Sequence, residues 1–311
     1  MEFYLGIDIG GTKCAVVLKE KNSSKINDKI RFETLSSRGY KQVIEDIIAA
    51  IEEILRKNAI SPAQIIRCGI SCGGPLDPKK GVIMSPPNLP DWENVPICDI
   101  ITKRFSFPCK IANDADACAL AEWKFGAGKG AENMIFLTFG TGMGAGLILN
   151  GKLYCGSTGT AGEVGHIRLK ESGPLGYGKH GSFEGFCSGG GIANMAKDML
   201  ENYSGKTELR KAEITAKAIA FAANNGDEFA LSVYDKCGQM LGYGISILID
   251  ILNPEKIVIG SIYQRSEGLL KNKMNEIISK EALKINSAAC RIVPSQLADS
   301  IGDWAAIGVA I

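Results

Sequence analysis

At 311 residues the chain exceeds what one hydrophobic core usually serves, so two lobes are expected. Hydrophobic residues at 45% and charged residues at 22% are ordinary for a folded cytosolic protein. With 35 basic against 34 acidic side chains, the charge balance carries neither a nucleic-acid footprint nor an acidic tail.

The N-terminus has no basic region, and Asp8 interrupts its apolar run, so no signal peptide is expected. Phe3 to Ile9 reads as a strand ending in Gly10-Gly11-Thr12, and Cys14 to Leu18 as a second strand. Lys29 to Leu35 reads as a third, which makes the start a hairpin meander. Apolar residues from Ile44 to Leu55 then recur at helical spacing, so residues 39–58 hold an amphipathic helix. Ile65 to Ser71 is a short apolar strand stopped by Gly73-Gly74-Pro75. Residues 75–96 read as an ordered loop, because Leu89 and Trp92 interleave with Pro, Gly and Asn. A helix at 97–105, a strand at Cys109 to Ala112 and a helix at Ala115 to Phe125 complete the first lobe.

The same grammar then repeats. Asn133 to Phe139 is a strand, Gly140-Thr141-Gly142-Met143-Gly144 a turn, and Ala145 to Asn150 a returning strand with an Asn150-Gly151 hairpin signal. Helices dominate from Gly190 to Leu252, Lys256 to Gly260 is one more strand, and Gly302 to Ile311 is a closing helix. The closest candidate for a membrane span, Ile245 to Leu252, is too short for a bilayer and carries Asp250. Ten scattered cysteines without a CxxC pair read as buried reduced thiols, which implies the cytosol.

Strand–glycine–strand turns expose consecutive backbone N–H groups, and such concave nests bind phosphate oxygens. Thr12 and Lys13 add a hydroxyl and a positive charge beside the first turn, and Asp8 at the strand end could hold a phosphate-bound Mg²⁺ through water. A plain hairpin would use glycines too, but two matching turns in one chain favour phosphate binding. No GxxxxGK string followed by Ser or Thr occurs, and a strand rather than a helix follows each turn, so neither a Walker A loop nor a Rossmann fingerprint is present. Asp114 stands between a strand and a helix, where it could cap the helix or act chemically; Asn113 could cap equally. Glu163, His166 and Glu184 lie among glycines and could converge on a hydroxyl-rich ligand, or serve structurally.

Taken together, LGIDIGGTK (5–13), GGPLD (73–77), PNL (87–89), ANDAD (112–116), TFGTGMGAGLI (138–148), AGEVGH (161–166) and IGD (301–303) resemble the ROK family of sugar kinases and regulators across nearly the whole chain. The resemblance implies an α/β fold of two actin-like ATPase lobes, ribonuclease H-like and duplicated, with a cleft between them. The small lobe would comprise residues 1–115 with about 300–311, and the large lobe residues 116–299. It implies ATP and Mg²⁺ held by Asp8, Gly10, Gly11, Thr12, Lys13, Gly140, Thr141, Gly142 and Gly260. It implies a sugar held by Gly74, Asn88, Asn113, Glu163, His166 and Glu184, with Asp114 as the base that deprotonates its hydroxyl. A cytoplasmic homodimer would be usual for the family. Glucose is the first choice of substrate, with N-acetylglucosamine, N-acetylmannosamine, fructose, mannose and allose open.

One departure stands out. Many members carry a Cys-x-Cys-Gly-x-x-Gly-Cys-x-Glu zinc motif where this chain has residues 175–184, and all three cysteines are missing. The expectation is a chain without zinc, whose loop is steadied by packing of Leu175, Tyr177 and Phe183. Ser261 also replaces the second glycine of a frequent Gly-Gly pair. Regulators of the family carry an added N-terminal helix-turn-helix domain. The glycine loop here begins by residue 8, so a kinase is expected, with an inactive sugar- or nucleotide-binding protein as the rival.

Overall fold

Fourteen strands and ten helices run through residues 1–311, all of which the computed structural model describes. In chain order they are β1 (Phe3–Ile9), β2 (Lys13–Glu20), β3 (Asp28–Glu33), α1 (Tyr40–Lys57), β4 (Ile65–Cys72), β5 (Leu76–Asp77), β6 (Val82–Ile83), α2 (Ile97–Phe105), β7 (Cys109–Asn113) and α3 (Asp114–Phe125). There follow β8 (Met134–Phe139), β9 (Met143–Leu149), β10 (Lys152–Leu153), β11 (Leu175–Gly176), β12 (Lys179–His180), α4 (Phe183–Phe186), α5 (Gly189–Glu201), α6 (Ala216–Asn224) and α7 (Glu228–Leu252). The last are β13 (Lys256–Ile259), α8 (Ile262–Glu281), α9 (Lys284–Ala289), β14 (Arg291–Pro294) and α10 (Ile301–Ala310).

The chain divides into unit 1 (residues 1–129, 155–159 and 299–311) and unit 2 (residues 130–154 and 160–298). Each has its own apolar core. The sheet of unit 1 runs β3-β2-β1-β4-β7, and that of unit 2 runs β10-β9-β8-β13-β14. In both, three antiparallel strands lead into two parallel additions. The repeated strand–turn–strand signal is thus the start of a duplicated ribonuclease H-like sheet.

Unit 1 extends to Lys129 rather than stopping at 115, because α3 belongs with α10. Phe125 and Trp304 pack with ring centroids 4.6 Å apart across that pair. Close approach of α10 to the sheet depends on Gly69 of β4. A Cβ there would lie 2.3 Å from both the Ala306 carbonyl oxygen and the Ala310 nitrogen. On the other side of the sheet, α1 buries Val43, Ile44, Ile47, Ile51, Ile54 and Leu55 on one stripe, the helical period expected of it.

The third strand ends at Glu33 rather than Leu35. Leu35 sits in the left-handed region at φ 44°, and Thr34 instead donates its hydroxyl to the Gly10 carbonyl at 2.6 Å. The 75–96 segment is ordered as expected, with Trp92 and Leu89 fully buried, and it contains the small β5–β6 hairpin. Asn150-Gly151 forms its hairpin turn with φ of 52° and 68°. All ten cysteines are free thiols, and no helix is long and apolar enough to cross a membrane.

Candidate active site

In unit 1 the parallel register aligns the ends of three strands. Ile9 pairs with Cys72, and Cys72 pairs with Asn113. The residues that follow are therefore brought side by side: Gly10-Gly11 after β1, Gly73-Gly74 after β4, and Asp114 after β7. Loops beyond the carboxyl ends of parallel strands are where α/β sheets bind ligands. Here they border a cavity of about 170 Å³, closed on its far side by Pro86, Pro87, Asn88 and Leu89. Gly11 admits that loop. A Cβ on it would lie 2.6 Å from the Asn88 carbonyl oxygen.

Asn113 resolves the capping question. It is the N-cap of α3, its side-chain oxygen accepting the Ala115 N–H at 2.7 Å. Asp114 is the first residue of the helix, exposed at the cavity, with one carboxylate oxygen accepting the same N–H at 2.8 Å. Space between the loop after β4 and the start of α3 is tight, since a Cβ on Gly74 would lie 3.3 Å from the Asn113 amide nitrogen.

Asp8 faces this cavity from β1. Burial, then the neighbouring carboxylates Asp303 and Asp114, push its carboxyl up to about 6, against the pull of Lys29 and Arg31. Asp303 is itself paired with Lys29 at 2.6 Å. Two carboxylates bordering one cavity form a hard-oxygen donor set whose mutual repulsion a divalent cation relieves, so these residues fit Mg²⁺. Cys72 is not a nucleophile here. Burial, with the Asp114 and Asp8 charges behind it, raises its pKa far above the ordinary thiol value. Thr12 and Lys13 are exposed at the hairpin tip, where the Thr12 carbonyl accepts the Thr34 N–H at 2.9 Å.

In unit 2 the Gly140–Gly142 turn closes through Gly140 N–H to the Gly142 carbonyl at 3.1 Å. The Gly189 N–H at the start of α5 donates to the Gly140 carbonyl at 2.8 Å. Gly260 donates to the Leu137 carbonyl at 3.0 Å, so it stands beside the end of β8. Ser261 takes φ 52°, a conformation suited to the glycine it replaces.

Glu163, His166 and Glu184 all meet the β11–β12 hairpin. Glu184 accepts the Met143 N–H at 3.0 Å and the Tyr177 N–H at 3.2 Å, one on each oxygen, which links the glycine turn to the hairpin. Glu163 accepts the Tyr177 hydroxyl, and His166 packs edge-on to the Tyr177 ring at 5.1 Å. Lys179 Nζ lies 3.2 Å from His166 Nδ1.

Packing does not steady this loop in the way expected. Leu175 is 53% and Tyr177 44% exposed, and of the three residues only Phe183 is buried. A two-residue hairpin has no inner face to cover them, and hydrogen bonds hold it instead. Ser182, where the zinc motif has its third cysteine, donates to the Gly176 carbonyl at 2.8 Å. An ammonium at His166 Nδ1, with Leu175, Tyr177 and Ser182 at the cysteine positions, does not fit a zinc site. Lys179 and Thr34 escaped the sequence reading, because each works through tertiary neighbours that no spacing reveals.

Known proteins place this architecture. A glucokinase of Thermotoga maritima is 31% identical over 303 residues, covering 96% of this chain and 94% of that one. A glucokinase of Halalkalibacterium halodurans is 34% identical over 276 residues, covering 86% and 83%. A xylose repressor of Caldicellulosiruptor bescii is 28% identical, covering 95% of this chain and 74% of that relative. A ROK family glucokinase from Streptomyces griseus, solved with glucose and AMPPNP, superposes with a TM-score of 0.77 at 27% identity, covering 99% of each chain. The fold is accordingly the duplicated α/β fold of the actin-like ATPases, and similarity to ROK family sequences runs from residue 4 to residue 311. The chain is a member of the ROK family.

Proposed function

We propose that this protein is an ATP-dependent sugar kinase, transferring the γ-phosphoryl group to a hydroxyl of a hexose or N-acetylhexosamine, with glucose favoured. The observation that carries the reading is the position of Asp114. Asn113 caps α3, so an exposed carboxylate is left at a cavity bordered by Asp8, Gly10, Gly11 and Asn88.

In this reading Asp114 accepts the proton of the sugar hydroxyl as its oxygen bonds to the γ-phosphorus and the bond to the ADP oxygen breaks. In unit 1, Gly74, Asn88 and Asn113 orient the sugar; in unit 2, Glu163, His166 and Glu184 carry polar groups suited to sugar hydroxyls. Gly10 closes its turn by donating to the Lys13 carbonyl at 3.1 Å, and the backbone N–H groups of Gly11 and Thr12, the Lys13 ammonium and the Gly140-Thr141-Gly142 turn receive phosphate oxygens, with Gly260 on the adenine side. Asp8 would hold Mg²⁺ through water, and the ion would neutralise charge on the transferring phosphates. Phosphoryl transfer asks a protein chiefly for positioning and electrostatic stabilisation, and this set of residues supplies both.

The glucokinase relatives support the activity, and the repressor relative motivates a second reading, a sugar-binding protein without catalysis. A coupled ADP-release assay across a panel of hexoses and N-acetylhexosamines separates them. Sugar-dependent turnover with Mg-ATP supports the kinase. Sugar binding without turnover by any member of the panel establishes the second reading.

A further inference from the structure

The β11–β12 hairpin is built at a conformational cost. Its two-residue turn, Tyr177-Gly178, has φ of 56° and 72°, the geometry that ordinarily takes Asn-Gly. A tyrosine in the left-handed region is disfavoured, and such a residue persists where its side chain is used. Here the use is visible. The Tyr177 hydroxyl reaches the Glu163 carboxylate and its ring braces His166, while Lys179, next along the strand, reaches His166 Nδ1.

A lysine ammonium only donates hydrogen bonds. Its contact with Nδ1 therefore requires a neutral ring with a bare Nδ1, which leaves the proton on Nε2. We propose that Tyr177 and Lys179 are positioning residues that fix the rotamer of Glu163 and the Nε2–H tautomer of His166. The pair then presents a fixed acceptor and a fixed donor to two sugar hydroxyls, one donating to Glu163 and the other accepting from His166. This rests on the sugar-kinase reading for its ligand, but the tautomer does not.

The chain has only two histidines, and they report oppositely. His180 Nδ1 lies 2.9 Å from the Gly173 carbonyl, an acceptor, so its proton belongs on Nδ1. A long-range proton–nitrogen NMR spectrum of uniformly ¹⁵N-labelled protein at about pH 8.5, where imidazole is ordinarily neutral, separates the two tautomers. His180→Gln assigns the signals. The expected spectrum has His166 as Nε2–H. Lys179→Met mixes its tautomers and Lys179→Arg preserves Nε2–H. An Nδ1–H His166 in the unsubstituted protein, or an unchanged signal in Lys179→Met, overturns the role of Lys179.

For Tyr177→Phe, the sugar KM rises about tenfold, the worth of one hydrogen bond to a charged group, while kcat stays within about twofold. An unchanged KM overturns the role of Tyr177. If the unsubstituted protein phosphorylates no sugar, the kinase reading fails instead, and the tautomer spectrum still decides whether Lys179 positions His166.

Discussion

Replacing Asp8 by asparagine should make the ligand-free protein more stable at neutral pH while abolishing sugar phosphorylation. In the folded chain the Asp8 carboxyl titrates at about 6, against an ordinary value of 3.8. At about 1.4 kcal/mol per pH unit, keeping it ionised in its buried place beside Asp303 and Asp114 costs about 3 kcal/mol. The sign follows from proton binding. Below 3.8 the carboxyl is neutral in both states and imposes no cost; as pH rises through about 6 the folded state is the later to release its proton, and stability is lost. The asparagine variant does not titrate, so its advantage should be about 3 kcal/mol at about pH 7 and should shrink steadily toward about pH 4. Urea unfolding followed by tryptophan fluorescence is a suitable assay. Trp92, Trp123 and Trp304 are the only tryptophans and all belong to unit 1, so the signal reports the unit that holds Asp8. A stability difference between the two proteins that stays constant from pH 7 to about pH 4 would refute the argument. The site would then hold its charge without penalty.

Three further outcomes are expected. Asp114→Asn should lower kcat by at least about 100-fold, as loss of a general base does, while the protein still folds; full activity would end its assignment as the base. Gly69→Ala should destabilise unit 1 by about 3 kcal/mol, since the new methyl group would meet the backbone of α10 at 2.3 Å; an unaltered fluorescence midpoint would contradict that packing. Elemental analysis of the purified protein should find no stoichiometric zinc, since Leu175, Tyr177 and Ser182 offer no thiolates, and one tightly held zinc per chain would contradict this.

The parts of the fold that local chemistry dictates could be read directly. The helix at 40–57 follows from its apolar stripe, the strands β1, β4 and β8 from short apolar runs ended by glycine, and the duplication from two copies of one turn. Residues 262–294 stayed unread. The apolar positions of α8 are spread thinly along a charged helix, and β14 is a four-residue strand at the edge of its sheet. The site divided along the same line. Asp114 and the glycine turns sit in contiguous strings, and register alone then assembles Ile9, Cys72 and Asn113. Thr34 and Lys179 carry no signal in their own neighbourhoods, and Asp303 was readable only as the end of the IGD string, without its ion pair to Lys29. Each acquires its role by contacting a residue distant in sequence or, for Lys179, by a hairpin too short to register as periodicity. Glu184 was readable as a polar residue among glycines, but its two backbone partners were not.

Because α10 lies against β1 and β4, the first unit is interrupted by the whole of the second. During synthesis the early strands leave the ribosome long before the helix that covers one face of their sheet. The second unit, residues 130–154 and 160–298, emerges by contrast as an almost continuous block. The unit encoded first should thus be the last to become protease-resistant. A nascent chain stalled before residue 299 is the species in which chaperones would find its apolar face uncovered.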